Sequence, residues 1–190
     1  MNTSAANLTQ IPGYLAGTWD IDQVHSDVSF TVRHMMVSKV RGHFRSFSGE
    51  IVTAVEPAVS AVEARIDLAS IDTNNEDRDK HLLSSDFFDL ERFPVMEFRS
   101  TGVRPGHRDA YLVDGDLSLH GVSRPVTLEL EVNGFGQDPY GGYRAGFSAT
   151  TEIRRSDFGM DFNMPMDGGG VVVGDVVKIN IEIEAILRKP

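Results

Sequence analysis

The sequence predicts an all-β protein, an eight-stranded antiparallel up-and-down barrel with one short helix. Three observations point there. Apolar and polar residues alternate with a period of two along most of the 190 residues, the mark of strands with one buried and one wet face. Turn chemistry separates the alternating runs. Several runs exceed ten residues, longer than sandwich strands usually are, and closing long amphipathic strands into a barrel removes their exposed edges.

Taken in order, the predicted strands cover 19–35 (bent near His25), 41–54, 59–69, 95–104, 110–120, 124–134, 142–154 and 176–188. Val28, Phe30 and Val32 alternate with Ser29, Thr31 and Arg33 in the first, and Val62, Ala64, Ile66 and Leu68 with Glu63, Arg65 and Asp67 in the third. Leu128, Leu130 and Val132 alternate with Glu129 and Glu131, and "VVKINIEIEAIL" sets Val177, Ile179, Ile181 and Ile183 against Lys178, Asn180, Glu182 and Glu184. The breaks read as Glu56-Pro57, Arg104-Pro105-Gly106, Arg124-Pro125, Asp138-Pro139-Tyr140-Gly141-Gly142 and Asp167-Gly168-Gly169-Gly170. Residues 74–89, "NNEDRDKHLLSSDFFD", break the pattern. Asn75 can cap a helix there, with Glu76, Asp77 and Asp79 placing negative charge in its first turn, and Phe87 and Phe88 are expected to turn inward beyond it. Residues 1–16 are expected to form a flexible tail and 17–190 one barrel domain.

Composition excludes several function classes. A net charge of −10 without a basic run disfavours nucleic-acid binding. The absence of cysteine removes disulfides, thiolate nucleophiles and cysteine-based metal sites. No apolar run is long enough for a membrane-spanning helix. The N-terminus lacks a basic segment followed by an apolar one, so the protein is expected in the cytoplasm.

The richest chemical stretch is "HSDVSFTVRHMM", residues 25–36. His25 and His34 would stand roughly 30 Å apart on a straight strand at about 3.3 Å per residue, too far to share a metal. His25 and Ser26 would face opposite sides, which is poor geometry for a nucleophile and its base. The stretch reads as a strand with His34 at a barrel end. No histidine spacing matches a metal motif, and no metal site is expected. The charged helix reads as a solvated face, with Arg78 and Asp79 able to anchor it as a lid. "SDFG" at 156–159 lacks every companion of a kinase magnesium motif, and "GGGVVVG" at 168–174 lacks the lysine and following helix of a phosphate loop. What remains is the apolar face. A barrel of eight strands can be filled by side chains or hold one small ligand, and periodicity does not choose between them.

Taken together, "GTWDIDQVHSDVSFTVRHMMVSKVRGHFRSFSGEI" (17–51), "IDTNNEDRDKHLLSSDFFDLERFPVMEF" (71–98), "LSLHGVSRPVTL" (117–128) and "RRSDFGM" followed by "VGDVVKINIEIEA" resemble the YceI-like family, in order from Thr18 to Leu187. The resemblance implies a lipocalin-like barrel whose apolar tunnel holds a polyisoprenoid chain, such as the tail of an isoprenoid quinone. It supplies no catalytic residues, and no cofactor is expected. The expected ligand-binding set takes the apolar parity of each strand: Phe30, Val32, Phe44, Ile66, Leu68, Met96, Phe98, Leu117, Leu119, Leu128, Leu130, Phe147, Ile179, Ile181 and Ile183. Phe87, Phe88, Phe162 and Met164 are added at the mouth. The leading expectation is a non-enzymatic carrier or store for an isoprenoid lipid. The rivals are an enzyme acting on an apolar small molecule through Arg33, His34, Arg78 or His120, and a ligand-free interaction barrel. A homodimer is compatible with the pattern, which does not require one.

Overall fold

The computed structural model describes residues 10–189. Eleven strands and one helix follow in the order β1 (Gly17–Ile21), β2 (Asp27–His34), β3 (Ser38–Phe44), β4 (Phe47–Thr53), β5 (Ala61–Asp67), β6 (Ile71–Asp72), α1 (Glu76–Leu83), β7 (Val95–Pro105), β8 (Tyr111–Leu119), β9 (Val122–Gln137), β10 (Tyr143–Arg154) and β11 (Val173–Leu187). Every pairing is antiparallel, and eight strands close into a ring: β1–β4–β5–β7–β8–β9–β10–β11 and back to β1. β2 continues the line of β1 along β11, β3 lies beside β2, and β6 beside β3. The first two predicted strands are each broken once, the third ends at Asp67 in a 3-10 turn over Leu68–Ser70, and the barrel keeps its eight staves.

The breaks have a local cause. At the first, Asp22 caps a single 3-10 turn over Gln23–His25, its Oδ1 accepting from Val24 N at 3.0 Å. Ser26 Oγ accepts from Glu184 N at 3.0 Å, so the interrupted ladder with β11 stays satisfied. At Arg45-Ser46 the Gln23 side chain donates to Arg45 O (2.9 Å), while Ser70 Oγ accepts from Ser46 N (2.9 Å). The two breaks and the 3-10 turn after β5 therefore lie along one seam, cross-linked by side chains.

Two turns differ from expectation. The hairpin between β8 and β9 turns at His120-Gly121, both in the left-handed region (φ 54° and 72°), while Pro125 lies within β9 opposite Asp116. β10 pairs with β9 only from Glu129 onward, so proline stands where one flank of the strand is open. The β2–β3 hairpin turns at Met35-Met36, and β3 begins at Ser38 rather than 41. The helix forms as expected: Asn75 Oδ1 accepts from Arg78 N at 2.9 Å, and the helix ends at Leu83.

Residues 1–9 of the expected tail lie outside the described residues. Its last part lies against the barrel: Tyr14 Oη donates to Ala54 O at 2.6 Å, and Leu15 O accepts from Thr53 Oγ1 at 2.6 Å.

Candidate functional site: the barrel lumen

The lumen contains two chambers. The larger, about 1320 Å³ counting the open space at its mouth, runs through the ring of eight strands. The smaller, about 740 Å³ on the same measure, lies between β2, β3, β11 and the segment after α1. Val28, Met96 and Ile179 belong to both walls, so the chambers adjoin there.

The larger wall takes Ile66, Met96, Phe98, Leu117, Leu128, Leu130, Phe147, Ile179, Ile181 and Ile183 from the expected set. The smaller takes Phe30, Val32, Phe44, Phe87, Phe88 and Leu119, with Met96 and Ile179 again. Leu68, Phe162 and Met164 stand apart. Leu68 is fully buried in packed core, Phe162 stacks edge-on against Phe87 and His81 at 5.3 Å from each ring, and Met164 is half exposed.

Several residues absent from the expected set lie just past irregularities. Phe44 and Phe47 are three apart yet both face inward, because the kink at Arg45-Ser46 reverses the parity. Ile21 and Val28 repeat this across the Asp22–Ser26 break. Val103 follows the register shift after Ser100, and Phe135 follows the one opposite Gly146/Phe147. A count of two-residue steps loses phase at each such point.

Two aromatic rings lie flat in the wall because the facing strand offers glycine. A Cβ on Gly42 would stand 2.3 Å from Phe30 Cζ, and one on Gly115 would stand 2.4 Å from Phe98 Cζ. The two wall threonines donate to the backbone: Thr53 Oγ1 to Leu15 O at 2.6 Å and Thr151 Oγ1 to Thr127 O at 2.8 Å. The cavity surface is left apolar.

Each end carries an aromatic cluster. At one, Trp19 meets Phe135 edge-on at 5.5 Å, and Phe135 also meets Tyr14 (5.2 Å) and Phe147 (6.0 Å). At the other, Phe44 bridges Phe30 (5.7 Å) and Phe88 (6.2 Å). Arg155 borders the smaller chamber and is buried. Its guanidinium donates to the carbonyls of Met160 (2.7 Å), Phe162 (2.8 Å) and Gly174 (3.0 Å), tying the segment after β10 to the start of β11. Burial is the largest influence on it and lowers its pKa from the ordinary arginine value.

The suspected catalytic side chains do not form one constellation. Arg78 donates to Thr73 Oγ1 (2.7 Å) and Thr73 O (2.6 Å), and His120 Nδ1 is 2.9 Å from Phe158 O. Arg33 is exposed on β2 and His34 ends that strand.

One charged cluster escaped sequence reading because its members are far apart in the chain. Asp22, His25 and Glu184 bring ligand-type atoms within 4.8 Å of one another. Arg144 already occupies the position a cation would take: its guanidinium donates to Asp22 (2.9 Å), Asp138 (3.0 Å) and Glu184. The hydrogen bond from His25, followed by that from Arg144, holds the Asp22 carboxyl below the usual range; Gly142 N–H, followed by Arg144, does so for Asp138. These lowered values stabilise the fold above the unfolded carboxylate pKa near 4, and the contribution is lost as pH falls through the lower folded values. Urea unfolding at a series of pH values should show stability declining below about pH 4. Arg144→Met should be less stable at pH 7 and decline less steeply in acid.

The chain matches the YceI-like domain over residues 19–185. A UPF0312 protein of Photorhabdus laumondii is 41% identical over 159 residues, 82% of each chain. The Campylobacter jejuni YCEI protein has the same fold, with a TM-score of 0.70 and 30% identity over 88% of this chain and 96% of that one. A polyisoprenoid binding domain from Saccharophagus degradans superposes with a TM-score of 0.67 at 17% identity, covering 92% of this chain and 100% of its own. With a barrel of this topology, an apolar lumen at its centre and a family match over nearly its whole length, the chain belongs to the YceI-like family.

Proposed function

We propose that the protein binds an isoprenoid lipid in its lumen as a carrier or store, with an isoprenoid quinone as the first candidate ligand. The observation that carries this reading is the apolar lumen, whose wall threonines Thr53 and Thr151 donate their hydroxyls to backbone carbonyls. An isoprenoid tail has no hydrogen-bonding groups, so apolar burial must hold it, at about 0.8 kcal/mol per buried CH₂. Ordering the tail offsets part of that. The polyisoprenoid binding domain from Saccharophagus degradans, alike in fold, supports the ligand class. The role is proposed to be non-catalytic, with Arg78 and His120 engaged in holding local structure.

Native mass spectrometry of freshly purified protein, followed by organic extraction, tests this. The expected result is a stoichiometric adduct whose released species differ by isoprene units. Absence of any adduct, even after incubation with isoprenoid quinones, would leave a ligand-free barrel and overturn the proposal.

A further inference from the structure

The β2–β3 hairpin has a composition unlike the rest of the chain. Residues 28–49 contain Arg33, Lys39, Arg41 and Arg45 and not one Asp or Glu, in a protein with 18 basic and 28 acidic residues. Arg33 stands directly opposite Lys39, and Arg41 follows on the same outward face opposite Thr31. Like charges paired across strands cost stability. Among the described residues Arg33, Lys39 and Arg41 form no ion pair, whereas Arg45 is paired with Asp72 at 3.0 Å. Asp161 and Asp167 lie on the neighbouring loop and make no ion pair with them.

The tip between these cations is apolar and exposed: Met35 at 41%, Met36 at 52% and Val37 at 86%. Met35 and Met36 both hold left-handed backbone, φ 50° and 60°. Such a turn favours Asn-Gly, and β-carbon-bearing methionines adopt it at a cost. The adjoining loop adds Met164 (53% exposed) and Val171 (36%). It abuts the tip, since Met35 N donates to Val172 O at 2.8 Å. The patch also borders the lumen, because Val32 and Val173 line the smaller chamber.

We infer that this hairpin docks the protein onto an anionic phospholipid bilayer, with the methionine tip entering the interface and Arg33, Lys39 and Arg41 meeting the head groups. An apolar tip flanked by unpaired cations is complementary to such a surface on both counts. It explains why a chain of net charge −10 concentrates cations here, and why two methionines occupy a turn better suited to other residues. Docking would bring the end of the lumen next to the phase in which isoprenoid lipids dissolve.

Vesicle flotation of the full chain tests this, using vesicles without isoprenoid so that lumen binding plays no part. Two compositions are compared: phosphatidylcholine alone, and phosphatidylcholine with roughly a third phosphatidylglycerol. The protein is expected to float with the anionic vesicles and not the neutral ones, and to be released by high salt. Lys39→Gln with Arg41→Gln should cut partitioning roughly 30-fold, about fivefold per charge. Met35→Asn with Met36→Gly installs the preferred turn, so it should fold at least as stably yet lose flotation. Failure of the unaltered chain to float with anionic vesicles, or undiminished flotation of the turn variant, would overturn the inference. Quinone uptake from detergent by the same turn variant is expected to be unchanged, which separates docking from lumen binding.

Discussion

Ala149→Phe is expected to abolish the isoprenoid binding proposed for the lumen without unfolding the barrel. Ala149 faces the larger chamber from the middle of β10, between Leu130 of β9 and Ile181 of β11, which line the same wall. A benzyl group there would project into open space rather than packed matter, so the overpacking cost of about 1–3 kcal/mol seen in filled cores should be largely avoided. Its burial should also offset what strain remains. An isoprenoid tail bound in the lumen as proposed, in contrast, would have to pass the same cross-section. Excluding one isoprene unit forfeits about 4 kcal/mol at about 0.8 kcal/mol per carbon, close to a thousandfold in affinity. Thermal unfolding should therefore give a midpoint at or above the unaltered value, while extraction of the purified variant yields little lipid. A folded variant that still retains a full equivalent would place the ligand elsewhere. This design is more informative than a buried charge such as Phe98→Asp, which would lose ligand by unfolding the wall as readily as by spoiling the site.

Period-two alternation made the staves and most of the inward positions legible. Phe30, Ile66, Leu130 and Ile181 could all be placed from neighbours in sequence alone. Several of the positions that escaped lie past breaks in the ladder, while others, Ala149 and Val126 among them, are in phase with residues the pattern did place. Arg45-Ser46 contains neither glycine nor proline, and the bend there is held by Gln23 and Ser70 from two 3-10 turns elsewhere in the chain. Nothing local announces it, so Phe47 and Ile51 fall out of phase with Phe44. Met35-Met36 turns without turn residues, whereas Pro125, which looks like a break, is tolerated beside an open flank. The Arg144 cluster joins residues more than a hundred positions apart, Asp22 and Arg144 among them, and only closure of the ring brings them together.

Closure itself rests on Trp19, and Trp19→Ala is expected to be the most destabilising single change in the barrel. β1 is the short stave that joins the first and last parts of the sheet, pairing with β4 at Ile51 and with β11 at Leu187. Trp19, the only tryptophan, has no exposed surface and packs among Phe135, Tyr143, Phe147, Ala145 and Ala185. Truncating a buried aromatic of this size costs about 3–5 kcal/mol, a large share of the 5–15 kcal/mol typical of a folded domain. The midpoint should fall by roughly 10–15 °C. Polar and apolar contributions can be separated through Thr53, whose hydroxyl accepts from the indole N–H and from Gly17 N while donating to Leu15 O. Thr53→Val strands the buried indole N–H and two backbone groups, which should cost about 1–3 kcal/mol per unsatisfied group. Trp19→Phe removes only the indole donor and part of the ring. If the hydrogen bond matters as drawn, Trp19→Phe added to Thr53→Val should cost less than the sum of the two single changes, because the donor is no longer left unpaired. Additive losses in urea unfolding would instead assign the stability of the seam to aromatic packing alone.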